Sequence, residues 1–363
     1  MMLGSHVVDQ ILDLARWAPS GDNTQPWRFE RVDAKHLVVH GSDTRSHCVY
    51  DLDGHPSQLA IGALIETLAI AASGFGLRVD AKRRAGLPDD RPTIELALVP
   101  DTSLPASPLI ASIPRRTVQR RGYSTRPLTD SDKHSLERAM MPGYQIRWFE
   151  GWAPRLSMAR LMFQNARLRL TTLEAYQVHR DIIDWGRRYS ADRVPDQALG
   201  VDGLTLRLMR WAMQDWDRVR FLNRWVGGTW MPRLQMDWLP SLRCAAHLVV
   251  MRAETPRTVD DYIESGRVVQ RLWLTATGLG LQHQPELTPL IFARYVREGV
   301  AFSASADAVA LARRLTDQTL AIVGQDLPSA VWIGRIGKAA VALSRSVRRS
   351  REALTLAMAP DKI

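Results

Sequence analysis

Apolar positions recur at helical spacing from the start of the chain. Val8, Ile11, Leu12, Ala15 and Ala18 predict an amphipathic helix that Pro19 breaks. Ser20, Gly21, Asp22 and Asn23 then form a run of turn formers. Pro26 biases Gln25 toward an extended conformation that launches a strand over 27–32. A second strand over 36–40 makes a hairpin about Asp33-Ala34-Lys35. Ile61, Leu64, Ile65, Leu68, Ala71, Ala72 and Phe75 share one helical face, and Ala60, Ala63, Ala69 and Ile70 lie round the other side. A helix over 57–73 that is apolar nearly all round is a buried, central one. Gly74 and Gly76 end it, and strands follow over 77–82 and 94–99.

The pattern repeats. Residues 62–77 align without a gap on residues 266–281, with Gly62/Gly266, Leu68/Leu272, Ala72/Ala276, Gly74/Gly278, Gly76/Gly280 and Leu77/Leu281 identical. Self-similarity of this kind marks duplicated units. A second copy should also begin with helix, loop and strand, and a helix over 130–140 followed by a strand over 142–150 supplies them. The Ser and Asn of the first loop are missing there. We therefore divide the chain into 1–103 and 104–363, with 152–240 as an insertion in the second half. The insertion is rich in Arg, Leu, Met and Trp, with helical runs over 159–188 and 204–225. Its aromatics and methionines are expected to be core. Near the C-terminus, 330–339 reads as a strand running into a glycine turn.

A length of 363 residues allows a full core and two structural units. The formal charge of +10 comes mainly from arginine, yet no basic run interleaved with aromatics forms a nucleic-acid module, so no nucleic-acid partner is expected. The apolar run 59–77 is interrupted by Glu66 and three glycines, and is read as a buried helix, so no membrane partner is expected either. No N-terminal signal pattern is visible. Cys48 and Cys244 lie far apart without metal spacing, and the expected location is the cytoplasm. His47, Cys48, Asp51, Asp53 and His55 match no ligand spacing, and no metal is expected.

On spacing alone, 18–27 reads either as a helix-to-strand turn or as a site where short amides and hydroxyls meet a flat heterocycle. Ala18-Pro-Ser-x-x-Asn-x-Gln-Pro-Trp27 resembles the flavin-ring loop of the FMN-dependent nitroreductase superfamily. The resemblance implies contacts to FMN from Pro19, Ser20, Asn23 and Gln25. Arg115-Arg-Thr-Val-Gln-Arg120 is similar to the family's phosphate segment, which carries over to Arg116, Thr117, Gln119 and Arg120. Arginine suits that task because its planar fork pairs bidentately with phosphate oxygens. The same resemblance assigns Gln284, Pro285 and Glu286 to the flavin edge, and Arg348 and Arg349, with Arg335 behind them, to the phosphate pocket.

The fold so implied is α+β, with mixed, mainly antiparallel sheets packed on central helices in an intrachain pseudo-dimer. Family members are homodimers with sites shared between subunits. Here the first copy keeps the ring loop and the second keeps the arginines, so one composite FMN site per chain is expected. The implied activity is hydride transfer through flavin N5 to or from a small organic substrate (a nitroaromatic, a quinone or a biosynthetic intermediate), with NAD(P)H as a transient reductant. No side chain is assigned as catalytic, and further oligomerisation is left open. A flavin-free binding or sequestering protein, its site closed by a lid, is the alternative.

Overall fold

The computed structural model describes residues 5–356. Helix α1 (Ser5–Ala15) leads through the 18–26 loop to strands β1 (Trp27–Arg31) and β2 (His36–Gly41). The buried helix α2 (His55–Ser73) follows, and then strands β3 (Leu77–Arg83) and β4 (Thr93–Pro100). These strands form an antiparallel sheet in the order β1-β2-β4-β3. A long connection leads to α3 (Asp130–Arg138) and β5 (Tyr144–Glu150). Thr129 caps α3, accepting from the Asp132 N–H while the Asp132 carboxylate accepts from the Thr129 N–H, which fixes where the helix starts.

The insertion opens with α4 (Trp152–Thr171) and α5 (Leu173–Ile182). The continuous helix expected over 159–188 ends early. Thr172 is extended, and the chain then makes the two-residue strands β6 (Ile183–Asp184), β7 (Tyr189–Ser190) and β8 (Val194–Pro195). Four short helices complete the insertion: α6 (Gly203–Ala212), α7 (Trp216–Phe221), α8 (Trp230–Arg233) and α9 (Leu239–Leu242). Strand β9 (Ala246–Arg252) follows, buried along nearly its whole length. The second central helix α10 (Val259–Gly278) leads to β10 (Gln282–Pro285), α11 (Thr288–Glu298), α12 (Ala306–Val323) and β11 (Ala330–Gly337). The second antiparallel sheet has the order β10-β11-β9-β5. Equating β5, β9, β10 and β11 with β1, β2, β3 and β4 gives the two sheets one strand order, with the insertion occupying the place of the first hairpin turn.

The central helices pack against each other at their glycines. A Cβ on Gly62 would be driven into the Ile263 carbonyl oxygen, and one on Gly266 into that of Leu59. One turn further on, the buried Glu66 carboxylate accepts from Arg267 Nε (3.1 Å) and Arg271 Nε (2.9 Å), and Gln270 Nε2 donates to Thr67 Oγ1 (2.9 Å). Shifting by the repeat offset exchanges the pair Glu66–Arg271 with the pair Thr67–Gln270, so the crossing is quasi-symmetric in position while its chemistry has diverged. Helix α2 is long and apolar enough to cross a membrane, but 89% of that window is buried inside the protein.

The chain ends by crossing back. Strand β12 (Arg345–Ser346) pairs in parallel with β7, and after α13 (Arg351–Leu354) the Leu356 N–H donates to the Phe29 carbonyl in the first sheet.

Candidate functional site

The 20–25 loop has an unusual backbone. Asp22 (φ 50°), Asn23 (φ 63°) and Gln25 (φ 50°) are the positive-φ non-glycine residues among those described. Each such conformation costs of order 1–3 kcal/mol and persists where the surroundings over-determine it. They do so here. The Gln25 N–H donates to Ser20 Oγ (2.9 Å), Gln25 Nε2 donates to the carbonyls of Asn23 (3.0 Å) and Ala191 (2.8 Å), and Gln25 Oε1 accepts from the Arg349 N–H (3.0 Å). Asn23 Nδ2 points at the carbonyls of Val347 (3.2 Å) and Arg193 (3.3 Å), while its Oδ1 is buried without a partner. The insertion and the C-terminal segment thus hold the loop from outside.

Inside lies a cavity of about 310 Å³. Pro19, Ser20 and Asn23 border it, and so do Arg116, Thr117 and Arg120, Gln284 and Pro285, and Arg348. The 19–23 loop and the arginine segment, about a hundred residues apart in sequence, therefore face one space.

Three guanidinium groups gather at one end. Arg116 is buried, lies 4.6 Å above the Trp273 ring, and donates to the Trp17 carbonyl (3.0 Å). Arg348 Nε donates to the Ala18 carbonyl (3.0 Å). Arg345 lies over the Trp17 ring and donates to the carbonyls of Pro114 (3.0 Å) and Arg116 (3.2 Å). None of the three has a carboxylate within ion-pair distance among the described residues, and the Nε groups of Arg116 and Arg345 are buried without any partner. Burial, then the charges of Arg348 and Arg345, pushes Arg116 far down from its ordinary value. Burial, then Arg345 and Arg16, pushes Arg348 down to about 9. An arginine keeps its proton at any ordinary pH. The downward push therefore reflects first the burial of guanidinium charge and then repulsion between the arginines, and a bound anion would offset both.

The other end is different. Tyr50 OH lies 3.0 Å from His179 Nε2, and Arg169 pairs with Asp237 at 2.6 Å. Burial, then Arg169, pushes His179 down to about 3, so its imidazole is neutral. Burial raises the Asp22 carboxyl against the opposing pull of Arg120 and Arg169.

Several residues expected at the site are turned elsewhere. Gln25 holds the loop as described. Gln119 Nε2 donates to the Ala340 carbonyl, and its Oε1 accepts from the Arg121 N–H. Arg349 pairs with Asp192. Glu286 is taken up by His247 (2.9 Å) and Arg335 (3.2 Å), which also removes Arg335 from the cavity. Arg120 faces the cavity but donates to the Ala198 carbonyl and neighbours Asp22 instead of joining the guanidinium cluster. Arg345, Trp273, Tyr50 and Arg169 were not anticipated. The spacing Arg345-x-x-Arg348 on an extended segment was the one available signal for the first of them.

No family model matches the chain. Over 194 residues it is 30% identical to a protein provisionally named an NAD(P)H nitroreductase in Mycobacterium tuberculosis, in strains CDC 1551 / Oshkosh and H37Rv. The match covers 52% of this chain and 53% of the relative, so the chain spans about half the length of the curated relatives it matches. Among solved structures, a nitroreductase-like family protein from Bacillus cereus aligns at 12% identity over 70% of this chain and 97% of its own, with a TM-score of 0.35. A provisionally assigned nitroreductase from Anabaena variabilis aligns at 12% identity over 84% of this chain and 69% of its own, with a TM-score of 0.38.

Proposed function

We propose that the chain is an FMN-dependent oxidoreductase of the nitroreductase type, a fused pseudo-dimer that keeps one composite flavin site. The observation that carries this reading is the cluster of Arg116, Arg345 and Arg348, without a carboxylate partner among the described residues, in the same cavity as the 19–23 loop. Bidentate guanidinium pairing suits a phosphate monoester, and the orphaned Nε groups of Arg116 and Arg345 are the donors it would satisfy. The unpartnered Asn23 Oδ1 and Gln284 Oε1 are acceptors suited to ring N–H groups. When bound, FMN would supply two-electron chemistry between NAD(P)H and a small organic acceptor, such as a nitroaromatic, a quinone or a biosynthetic intermediate. The chain's own residues bind and orient it: the three arginines, with Thr117 and Ser346, hold the phosphate end, and Pro19, Ser20, Asn23 and Pro285 border the ring. Tyr50 and His179 line the remaining space, where a substrate would sit. The test is flavin content. Protein purified without added cofactor should release FMN, and Arg348→Met should lose it.

A second reading rests on a different observation. The Asn23 and Gln25 side-chain amides already donate to the backbone of 191–193 and to Val347. The β7–β8 segment and β12 could then act as a permanent lid over a flavin-free binding or sequestering pocket. Colourless protein that takes up no added FMN would favour this reading.

A further inference from the structure

The expectation that the aromatics and methionines of the insertion are core holds for Met158, Met162 and Tyr176 but not for Trp211, Trp225 and Trp230, which are exposed. Half of the exposed large apolar side chains among the described residues fall within 204–239, about a tenth of the chain. On α6, Leu204, Leu208 and Trp211 form one exposed stripe at helical spacing. On the following segment, Phe221 and Trp225 repeat the spacing, with exposures of 56% and 67%. Trp225 and Val226 precede the left-handed Gly227, across which Trp230 packs, itself 61% exposed. Burying such rings in the protein would have been favourable in proportion to the apolar area removed from water. They are displayed instead.

Their charged neighbours are mostly cationic. Between 203 and 243 the chain has seven arginines, three aspartates, and neither lysine nor glutamate. Arg218 lies over Trp211 (4.9 Å) and Arg224 over Trp225 (5.2 Å), while Arg233, near Trp230 (5.6 Å), is buried against Phe163, so two of the exposed tryptophans carry an accessible guanidinium. A second copy of the chain is a poor occupant, because a two-fold contact would set this cationic face against itself. A nucleic acid strand would use the rings and arginines but gives the leucines, valine and methionine no role. An anionic lipid surface uses all of them: acyl chains take the aliphatic groups, tryptophans favour the headgroup boundary, and arginines meet lipid phosphates.

We propose that the α6–α8 face of the insertion docks peripherally on anionic lipid bilayers. No membrane partner is expected from the apolar run 59–77, whose helix is buried, but this face would dock without spanning. It lies outside the cavity, so the proposal stands apart from the flavin reading.

The full chain is tested with vesicles of phosphatidylcholine alone and of phosphatidylcholine mixed with phosphatidylglycerol, followed by co-sedimentation and tryptophan emission. Binding to the mixed vesicles alone is expected, with a blue shift, weakened by salt. Arg207→Glu and Arg224→Glu should each lower partitioning about fivefold or more. Trp211→Ser with Trp225→Ser should abolish the blue shift. These side chains are exposed, so an unchanged thermal midpoint certifies the variants as folded. Absence of binding to the mixed vesicles overturns the proposal. So does binding indifferent to all these variants, or loss in the same variants of a dimer or of oligonucleotide binding instead of vesicle binding.

Discussion

Gly62 and Gly266 stand at equivalent points of the two central helices, each facing the carbonyl of the residue three positions before the other, Ile263 and Leu59. This reciprocal approach brings α2 and α10 close enough to bury Glu66 and Thr67 against Gln270. The two sides of the cavity wall, Leu59, Ala60 and Ala63 from one helix and Val269 and Trp273 from the other, are set by it.

Gly62→Ala and Gly266→Ala should each destabilise the chain by about 3 kcal/mol or more, because the added methyl meets backbone that has no alternative rotamer. Gly86→Ala, where nothing lies near the added carbon, serves as the comparison, although its positive φ gives it a cost of its own. Chemical denaturation reads the difference, and equal losses at all three positions would remove the helix crossing from the account.

Glu66 is fully buried between Arg267 and Arg271, which are themselves partly solvated. Glu66→Gln should cost about 1–3 kcal/mol, since one acceptor is kept while the charge is lost. Arg271→Met should cost less than this, because Arg267 remains to partner the carboxylate. Denaturation midpoints of the two variants test the order.

The site's charge makes a signed prediction. Arg348→Met removes a guanidinium that has no carboxylate partner among the described residues and donates only to backbone carbonyls, so the flavin-free protein should lose little stability, while affinity for FMN falls at least about tenfold. Calorimetry without ligand and titration with FMN read the two effects separately. A variant that loses stability and keeps affinity would show Arg348 to be a structural arginine.

His247 supplies a pH dependence. Burial opposes its charge, but Cys244 and Glu286 outweigh burial and hold it up at about 10 against an ordinary 6.5. A raised value contributes stability that is fully present below about 6.5 and is lost as pH rises through about 10. The thermal midpoint should therefore fall over that interval, and His247→Gln should flatten the slope.

Much of this arrangement was legible in the sequence because it depends on local pattern. The all-round apolar helix at 57–73, the Gly-x-Gly exits, the hairpin at Asp33-Ala34-Lys35 and the strand over 330–337 each follow from periodicity and turn chemistry. The alignment pairs Gly62 with Gly266, but that these two glycines pack the helices together is seen only in the structure. Side-chain direction was less accessible. Gln25, Gln119, Glu286 and Arg349 carry the right chemistry, yet tertiary partners far along the chain, Ala191, Ala340, His247 and Asp192, turn them from the cavity. Arg345 joins the guanidinium cluster only because β12 pairs with β7, a two-residue ladder without a sequence signature. The exposed tryptophans of the insertion escape the sequence for a related reason: aromatics at helical spacing indicate an apolar face, and pattern alone does not say what the face meets.

The most direct test of the composite site is the ratio of flavin to chain. The protein, purified and then saturated with FMN, is freed of excess ligand, denatured, and its released flavin quantified against protein concentration. One FMN per chain is expected, with loss in Arg348→Met. Two per chain would contradict a single composite site, and none at saturating FMN would contradict the flavoprotein reading altogether.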